Sequence, residues 1–287
     1  MQTGQPSQTA RGAAAYRAIH QTLDGGVIFS DPFAAKILDD ETRVMGDAIA
    51  ADPSLRPMRL FIAARSRFSE DSLAASVARG VRQVVVLGAG LDTFSLRNPY
   101  IDQSVRVFEV DYPATQGWKR ERLKQAGLAV PSSLTFAPVD FERQSLAEGL
   151  TAAGFRADRP AFFQWLGVAM YLTHEAVAST LDFIAGVPES EVVFDYAEPF
   201  ANYPADRRAV IMAIAEGAAA RGEPWLSFFD PPELTGLLRS KGFRTVEDLG
   251  LAGLSERFYG NLKQGIPIGP GGHVVRAQKL RLGSPTG

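Results

Sequence analysis

The 287-residue chain contains no cysteine and only three histidines. The missing cysteine excludes disulfides, thiolate metal ligands and a cysteine nucleophile. No apolar run reaches the roughly 18–20 residues of a membrane span, and the polar N-terminus has no apolar signal-peptide core. A net charge of −2 gives no attraction to nucleic acid or an anionic membrane. We therefore expect a cytoplasmic protein that acts on a small molecule without a metal, with its oligomeric state left open.

Short β-rich runs alternate with helical patterns between about residues 80 and 195. This alternation indicates crossover units and a parallel sheet that helices cover on both faces. The apolar character of the runs agrees, because strands of such sheets are buried on both sides. Seven strands are predicted, at Val84–Leu87, Val105–Val110, Leu134–Val139, Ala161–Trp165, Val192–Phe194, Phe243–Val246 and Val274–Ala277.

The remaining segments have helical patterns. Residues 8–79 are predicted to be helical, from TARGAAAYRAIH through DPFAAKIL to the segment that Gly80 ends. The predicted fold is α/β and Rossmann-like, with a seven-stranded, mostly parallel sheet. Residues 1–79 form a helical cover, residues 80–287 form the core, and a helical lid insertion follows the fifth strand at about 197–242. We expect these parts to form a single compact unit.

The segment VVVLGAGLDTFSLR joins the first predicted strand to a glycine turn at Gly88 and Gly90. A helix is expected to begin behind this turn, with free backbone N–H groups that face a ligand. Glycine also lets a ligand approach the backbone closely. A single Gly-x-Gly pair is a weak indication, because a tight turn after a strand needs no ligand.

An acid at the end of the second predicted strand strengthens the indication. Asp111 lies 21 positions after Gly90, close to the ~20 residues at which a carboxylate reaches ribose hydroxyls. Glu109 is the competing acid on the same side of the strand. Asp111 is favoured because it leaves the carboxyl end of the strand and overhangs the cleft.

The third glycine of a dinucleotide fingerprint is absent, and Thr93 stands in its place. That glycine allows close packing beneath a diphosphate, and Asp92 would face phosphates unfavourably. Asp92 could instead accept a hydrogen bond from an ammonium group or orient the turn. The predicted ligand has a ribose and no diphosphate, which describes S-adenosylmethionine. An NAD(P)-dependent oxidoreductase is the alternative.

At these residues the chain resembles class I S-adenosylmethionine methyltransferases of the leucine carboxyl methyltransferase type. LGAGLDT followed by VFEVDYP carries the resemblance, and GVAMYLT and the GEPW–SFFDPPEL stretch support it. The resemblance implies that Arg65 pairs with the methionine carboxylate, for which a guanidinium fork is suited. It also implies that Asp140 and Phe141 bind the adenine. The predicted cofactor-binding residues are therefore Arg65, Gly88, Gly90, Asp92, Asp111, Asp140 and Phe141.

The chain departs from the family pattern at Leu166. The family often carries a glutamate before the glycine of an E-G-x-L-x-Y-L pattern, where this chain reads LGVAMYL. Leu166 cannot make a polar contact with the cofactor's amino end. A second alternative is therefore a protein that binds S-adenosylmethionine without turnover.

The acceptor is predicted from the scarcity of bases and, in part, from what the family resemblance implies. A carboxylate is already a nucleophile near pH 7, whereas a hydroxyl acceptor needs a base within hydrogen-bond reach. His174 lies near the cleft mouth, but Tyr171 is better placed to position an acceptor because it leads out of the fourth strand. We expect O-methylation of a small organic molecule, with a carboxylate acceptor favoured. Candidate residues of the substrate lid are Arg11, Tyr16, Tyr196, Tyr203 and Trp225.

Overall fold

The computed structural model describes residues 7–140 and 143–279. Within them, seven strands form one sheet in the order β3-β2-β1-β4-β5-β7-β6. β7 runs antiparallel to both of its neighbours, and all other pairs are parallel. This confirms the predicted Rossmann-like, mostly parallel sheet. The strands are β1 (Gln83–Leu87), β2 (Arg106–Asp111), β3 (Leu134–Pro138), β4 (Ala161–Trp165), β5 (Glu191–Ala197), β6 (Thr245–Leu249) and β7 (Gly272–Gln278).

Helices precede the sheet, connect its strands and form an insertion between β5 and β6. The predicted strand ends differ from the observed ones by at most three residues. No helix in the described part of the chain combines the length and apolar character needed to span a bilayer. The helices are α1 (Gln8–Leu23), α2 (Asp40–Ala51), α3 (Arg56–Ala78), α4 (Pro113–Gln125), α5 (Leu146–Ala152), α6 (His174–Gly186), α7 (Ala205–Ala220), α8 (Pro231–Ser240) and α9 (Leu251–Leu254).

The two faces of the sheet bury different side chains, because successive residues of a strand point to opposite sides. On one face, which we call the apolar face, aromatic residues such as Phe163 and Phe194 pack against α5, α6 and α8. On the other, which we call the polar face, apolar residues pack against α3. Four buried polar residues lie among them, namely Glu109, Gln164, Glu191 and Asp195.

Two helix predictions in the connections are wrong. Residues 88–105, all of which the structure describes, contain no α-helix but two one-turn 3₁₀ segments, Phe94–Leu96 and Ile101–Gln103. Asn98 precedes a proline, which disfavours a continued helix. Residues 31–38 form turns, because the Asp31 side chain accepts the Phe33 N–H (3.1 Å) across a proline.

Candidate functional site

The glycine turn lies where the first parallel strand ends. Both glycines have positive φ, +65° at Gly88 and +45° at Gly90, which glycine adopts without strain. A Cβ at Gly88 would collide with Val168, and a Cβ at Gly90 would lie 2.8 Å from the Cβ of Ala10. The turn is therefore enclosed by the loop after β4 and by the first turn of α1.

Asp111 ends β2 directly beside this turn. Its Oδ2 accepts the Gly90 N–H at 2.6 Å, and its Oδ1 accepts the Tyr112 N–H at 2.7 Å. Burial raises the pKa of Asp111 to about 6, although those two N–H groups and Lys119 favour the charged form. The expectation of a free N–H group at Gly90 is wrong, because a neighbouring carboxylate already accepts its hydrogen bond.

The competing acid, Glu109, lies inside the polar face. It is 1% exposed, and it accepts hydrogen bonds from Lys119 Nζ at 2.6 Å and from the Ser95 hydroxyl at 2.7 Å. Burial raises the pKa of Glu109, and Lys119 opposes the rise. Glu109 therefore holds α4 against the sheet, and Asp111 is the acid at the strand end.

Asp92 orients the turn. Its Oδ1 accepts the Phe94 N–H at 2.7 Å, and its Oδ2 accepts Nε2 of Gln164 at 3.0 Å. Gln164 in turn accepts the Ser69 hydroxyl at 3.0 Å. Two roles were predicted for Asp92, to accept a hydrogen bond from an ammonium group or to orient the turn. Its contacts correspond to the second role.

Thr93, which stands in place of the third glycine of a dinucleotide fingerprint, is fully buried. The Thr93 hydroxyl donates to Asp31 Oδ2 at 2.6 Å. Arg17 of α1 and Arg97 flank Asp31, each 3.6 Å from one of its carboxylate oxygens. Thr93 therefore connects the turn to the N-terminal helices through a buried network of charges.

Arg65 is buried on α3, close to the loop after β4. Its Nη1 donates to Asp195 Oδ2 at 2.5 Å, and Asp195 Oδ1 accepts the Gly167 N–H at 2.5 Å. Sequence reasoning missed Asp195. The signal for it was an acid within the apolar strand VVFDYA, since a buried acid is rare unless it is paired.

Tyr171 ends the one-turn segment Ala169–Tyr171 after β4. The Leu226 N–H donates to Met170 O at 2.7 Å, which holds the segment after α7 against this turn. Burial raises the pKa of Tyr171, while Trp225, Thr9 and Arg65 favour its ionised form. Trp225 Nε1 is buried and faces Tyr171.

Two distant segments meet above the glycine turn. The Thr9 N–H in the first turn of α1 donates to Oε2 of Glu223 at 2.8 Å. Glu223 is 9% exposed, and its charge contributes to the raised pKa of Tyr171. Sequence reasoning did not single out this acid, and only its place in the GEPW stretch could have drawn attention to it.

The other predicted residues have diverse surroundings. Asp140 follows β3, and its Oδ2 lies 3.4 Å from Nε of Arg143. Phe141 lies outside the described residues. Leu166 packs with the apolar cluster of the polar face. The functional roles of the predicted cofactor residues remain predictions.

The histidines and several lid candidates have structural partners. His273 lies between Asp248 (2.8 Å) and Glu198 (3.0 Å), and His174 contacts Phe228 O at 3.1 Å. Tyr196 and Tyr203 are almost wholly buried. Arg11 pairs with Asp39 and Glu41. Among the described residues, no group of three or more histidine and acidic side chains is arranged to hold a metal ion.

Comparisons with known proteins agree with the resemblance. Residues 10–185, more than half of the chain, match the family described as leucine carboxyl methyltransferase. A Bacillus subtilis protein named "Putative S-adenosyl-L-methionine-dependent methyltransferase YktD" is 32% identical over 307 aligned positions, which cover 97% of this chain and all of that protein. A Mycobacterium avium protein named "Putative S-adenosyl-L-methionine-dependent methyltransferase" is 36% identical over 58% of this chain and 57% of its own length.

The fold also has a counterpart among solved structures. The crystal structure of a DUF574 family protein from Streptomyces avermitilis superposes with a TM-score of 0.59 and 16% identity. The superposition covers 94% of this chain and 97% of that one. At this level of identity the likeness concerns the fold alone.

Proposed function

The chain belongs to the leucine carboxyl methyltransferase family and is an S-adenosylmethionine-dependent methyltransferase, and from this premise we propose that it O-methylates a small organic molecule, with a carboxylate as the favoured acceptor. The observation that carries the proposal is the meeting of the glycine turn, Asp111, Arg65 and Tyr171 at one edge of the sheet. Ligands of open α/β sheets bind at this carboxyl edge.

The residues present fit the cofactor. Asp111, directly beside the glycine turn, offers carboxylate oxygens to ribose hydroxyls. Arg65 offers a guanidinium to the amino-acid carboxylate. When bound, the cofactor would supply an electrophilic methyl group on a sulfonium. The task of these residues is to hold the acceptor oxygen in line with that methyl group, and orientation can contribute roughly 7–11 kcal/mol.

A carboxylate acceptor needs no proton removed, so Tyr171 would only orient it through the phenol hydroxyl. Trp225, whose buried indole N–H faces Tyr171, could donate to the same acceptor. Both donors suit an anionic oxygen better than a neutral hydroxyl, because hydrogen bonds to charged groups are the stronger ones.

Glu223 favours a second candidate, a hydroxyl acceptor. Its buried carboxylate lies near Tyr171, and the Thr9 N–H bonds only one of its oxygens within the described chain. A carboxylate in this place could take the proton of an alcohol or phenol as it is methylated.

The cofactor is tested by calorimetric titration with S-adenosylmethionine, S-adenosylhomocysteine and NAD. We expect the two sulfur ligands to bind, and Asp111→Ala and Arg65→Ala to weaken them by about 1–3 kcal/mol as hydrogen bonds to charged groups are lost. Arg67→Ala, an exposed arginine on the same helix, is the matched control and should leave affinity unchanged. Binding of NAD alone would refute the proposal.

The acceptor class is tested by methyl transfer to separate libraries of carboxylates and hydroxyl compounds. Methyl esters release methanol in alkali and methyl ethers do not, which identifies the acceptor atom. Ester formation that survives Glu223→Gln supports the carboxylate. Ether formation that Glu223→Gln abolishes supports the hydroxyl. Cofactor binding with no transfer to either library would indicate a protein without turnover.

A further inference from the structure

Asp195 is a fully buried carboxylate near the end of β5. Each of its oxygens accepts one strong hydrogen bond, Oδ2 from Arg65 Nη1 and Oδ1 from the Gly167 N–H, both at 2.5 Å. The residue therefore joins α3 to the loop after β4, the two elements that enclose the amino-acid end of the proposed cofactor site.

The Arg65 guanidinium is fixed from three sides. Asp195 holds Nη1, and the Phe61 ring lies 5.9 Å from the guanidinium carbon. Gly167, with φ of +73°, lies close to the guanidinium, so that a Cβ there would lie 2.9 Å from Nη2 and 3.4 Å from the guanidinium carbon. Such packing leaves the planar fork little freedom, and less entropy is then lost when it binds a ligand.

The fork still has donors to offer. Within the described residues Arg65 donates only through Nη1, which leaves Nε and Nη2 for a ligand. Two parallel N–H groups of one guanidinium match the two oxygens of a carboxylate. Because Asp195 already neutralises Arg65, the pair can stay buried without a ligand and avoids the cost of an unpaired buried charge.

We propose that Asp195 is a positioning residue: it sets the Arg65 guanidinium in the orientation in which the remaining donors receive the carboxylate of the cofactor's amino-acid end. This rests on the proposed cofactor site. The carboxylate that pairs with Arg65 comes from β5, whereas the residue that follows β4 is the apolar Leu166.

The test compares two ligands that differ only at the amino-acid end. S-adenosylhomocysteine carries that end, and 5′-methylthioadenosine lacks it. For Asp195→Asn we expect the affinity for S-adenosylhomocysteine to fall about 10- to 100-fold, as for a lost hydrogen bond to a charged group. The affinity for 5′-methylthioadenosine should change less than about twofold, because no contact to the nucleoside is altered. A merely structural role would weaken both ligands alike.

The matched control is Glu191→Gln. Glu191 lies four residues earlier on the same face of β5, is equally buried and pairs with Ser76 and Arg79. It should perturb folding in a similar way and leave the ratio of the two affinities unchanged. The double variant Arg65→Lys with Asp195→Asn should bind S-adenosylhomocysteine no more weakly than the worse single variant, because both act on one contact.

Gly167→Ala provides a second route if Asp195→Asn does not fold. It displaces the guanidinium without changing any charge, and the same selective loss is expected. An unchanged affinity for S-adenosylhomocysteine, or parallel losses for the two ligands, would overturn the role of Asp195. If the wild type binds 5′-methylthioadenosine and not S-adenosylhomocysteine, the inference also fails. If it binds neither, the proposed cofactor site itself is wrong.

Discussion

Both faces of the sheet bury apolar clusters, but they are held by different forces. On the apolar face, rings such as Phe163 and Phe183 meet edge to face at 6.1 Å, and stability there comes from apolar area removed from water. On the polar face, α3 and α4 bring a partner to each buried polar side chain, as Lys119 does for Glu109. The apolar face can therefore vary in detail while volume is kept, whereas the polar face depends on single partners.

This difference follows the position of the candidate site. Asp195 and Asp111 belong to the polar face of their strands, and both lie at the carboxyl edge where the glycine turn is found. Buried charges are costly unless they are paired. Groups that bind a ligand are thus placed on the face that already supplies partners for charge.

The largest effect is expected from a cavity in the apolar face. Phe163→Ala removes a fully buried ring that packs against Phe155 and Phe183. It should lower the free energy of unfolding by about 3–5 kcal/mol, measured by urea denaturation. S-adenosylhomocysteine affinity, measured where the variant is folded, should be nearly unchanged. A loss of affinity as large as the loss of stability would mean that the two faces are not independent.

A broken pair should affect the polar face almost as strongly. Lys119→Met leaves the carboxylate of Glu109 buried with Ser95 as its remaining side-chain partner. We expect a loss of about 3 kcal/mol in the free energy of unfolding, because an uncompensated charge remains inside. Adding Glu109→Leu should recover most of it, since well-packed apolar residues can replace a buried pair. If the double variant is less stable than Lys119→Met alone, the apolar replacement fails and the pair of Glu109 and Lys119 is itself stabilising.

Asp111 should make cofactor binding depend on pH. Its pKa in the folded protein is about 6, and the ionised form accepts more hydrogen bonds from ribose hydroxyls. Affinity for S-adenosylhomocysteine should therefore rise between pH 5 and pH 7 and then level off. Asp111→Asn should bind about 1–3 kcal/mol more weakly with a flat profile. If the variant keeps the wild-type profile, another group titrates.

The same shift affects stability in the opposite direction. A carboxyl whose folded-state pKa lies above its unfolded value favours folding at low pH, and this contribution is lost as pH rises through about 6. Asp111→Asn should therefore gain stability relative to the wild type over that interval. Calorimetric unfolding of both proteins at pH 5 and pH 7 measures the difference.

The smallest effect is expected at His273 on β7, next to the edge strand β6. Burial lowers the pKa of His273, but the hydrogen bonds and charges of Asp248 and Glu198 outweigh it and raise the pKa above its ordinary value. The resulting stability is complete below the unfolded pKa of about 6.5 and is lost as pH rises through the folded value. Relative to His273→Gln, the wild type should lose stability as pH rises into the alkaline range. A constant difference would exclude ionisation.

Local pattern was sufficient for the sheet and insufficient for the site's partners. Apolar runs such as Phe162 and Phe163 in AFFQW identified a buried strand. The spacing from Gly90 to Asp111 predicted that these two residues lie close together, and the structure shows a hydrogen bond between them. The strand pattern does not assign partners to Gln164 in the same run, and the structure shows that it bonds with Ser69 and Asp92. The prediction of a helix directly after the glycine turn was wrong, because the residues there favour a capped turn.

The sequence by itself determined the fold class, the segments that form buried strands, and the acid beside the glycine turn. Each of these depends on residues close together in the chain. Only the tertiary structure decided which acid neutralises Arg65, as Asp195 lies 130 positions away. It also decided that the first turn of α1 and Glu223 meet above the cleft, across 214 positions. Such pairs arise from the crossing of helices over the sheet, and charge alone does not specify which of many partners a side chain will meet.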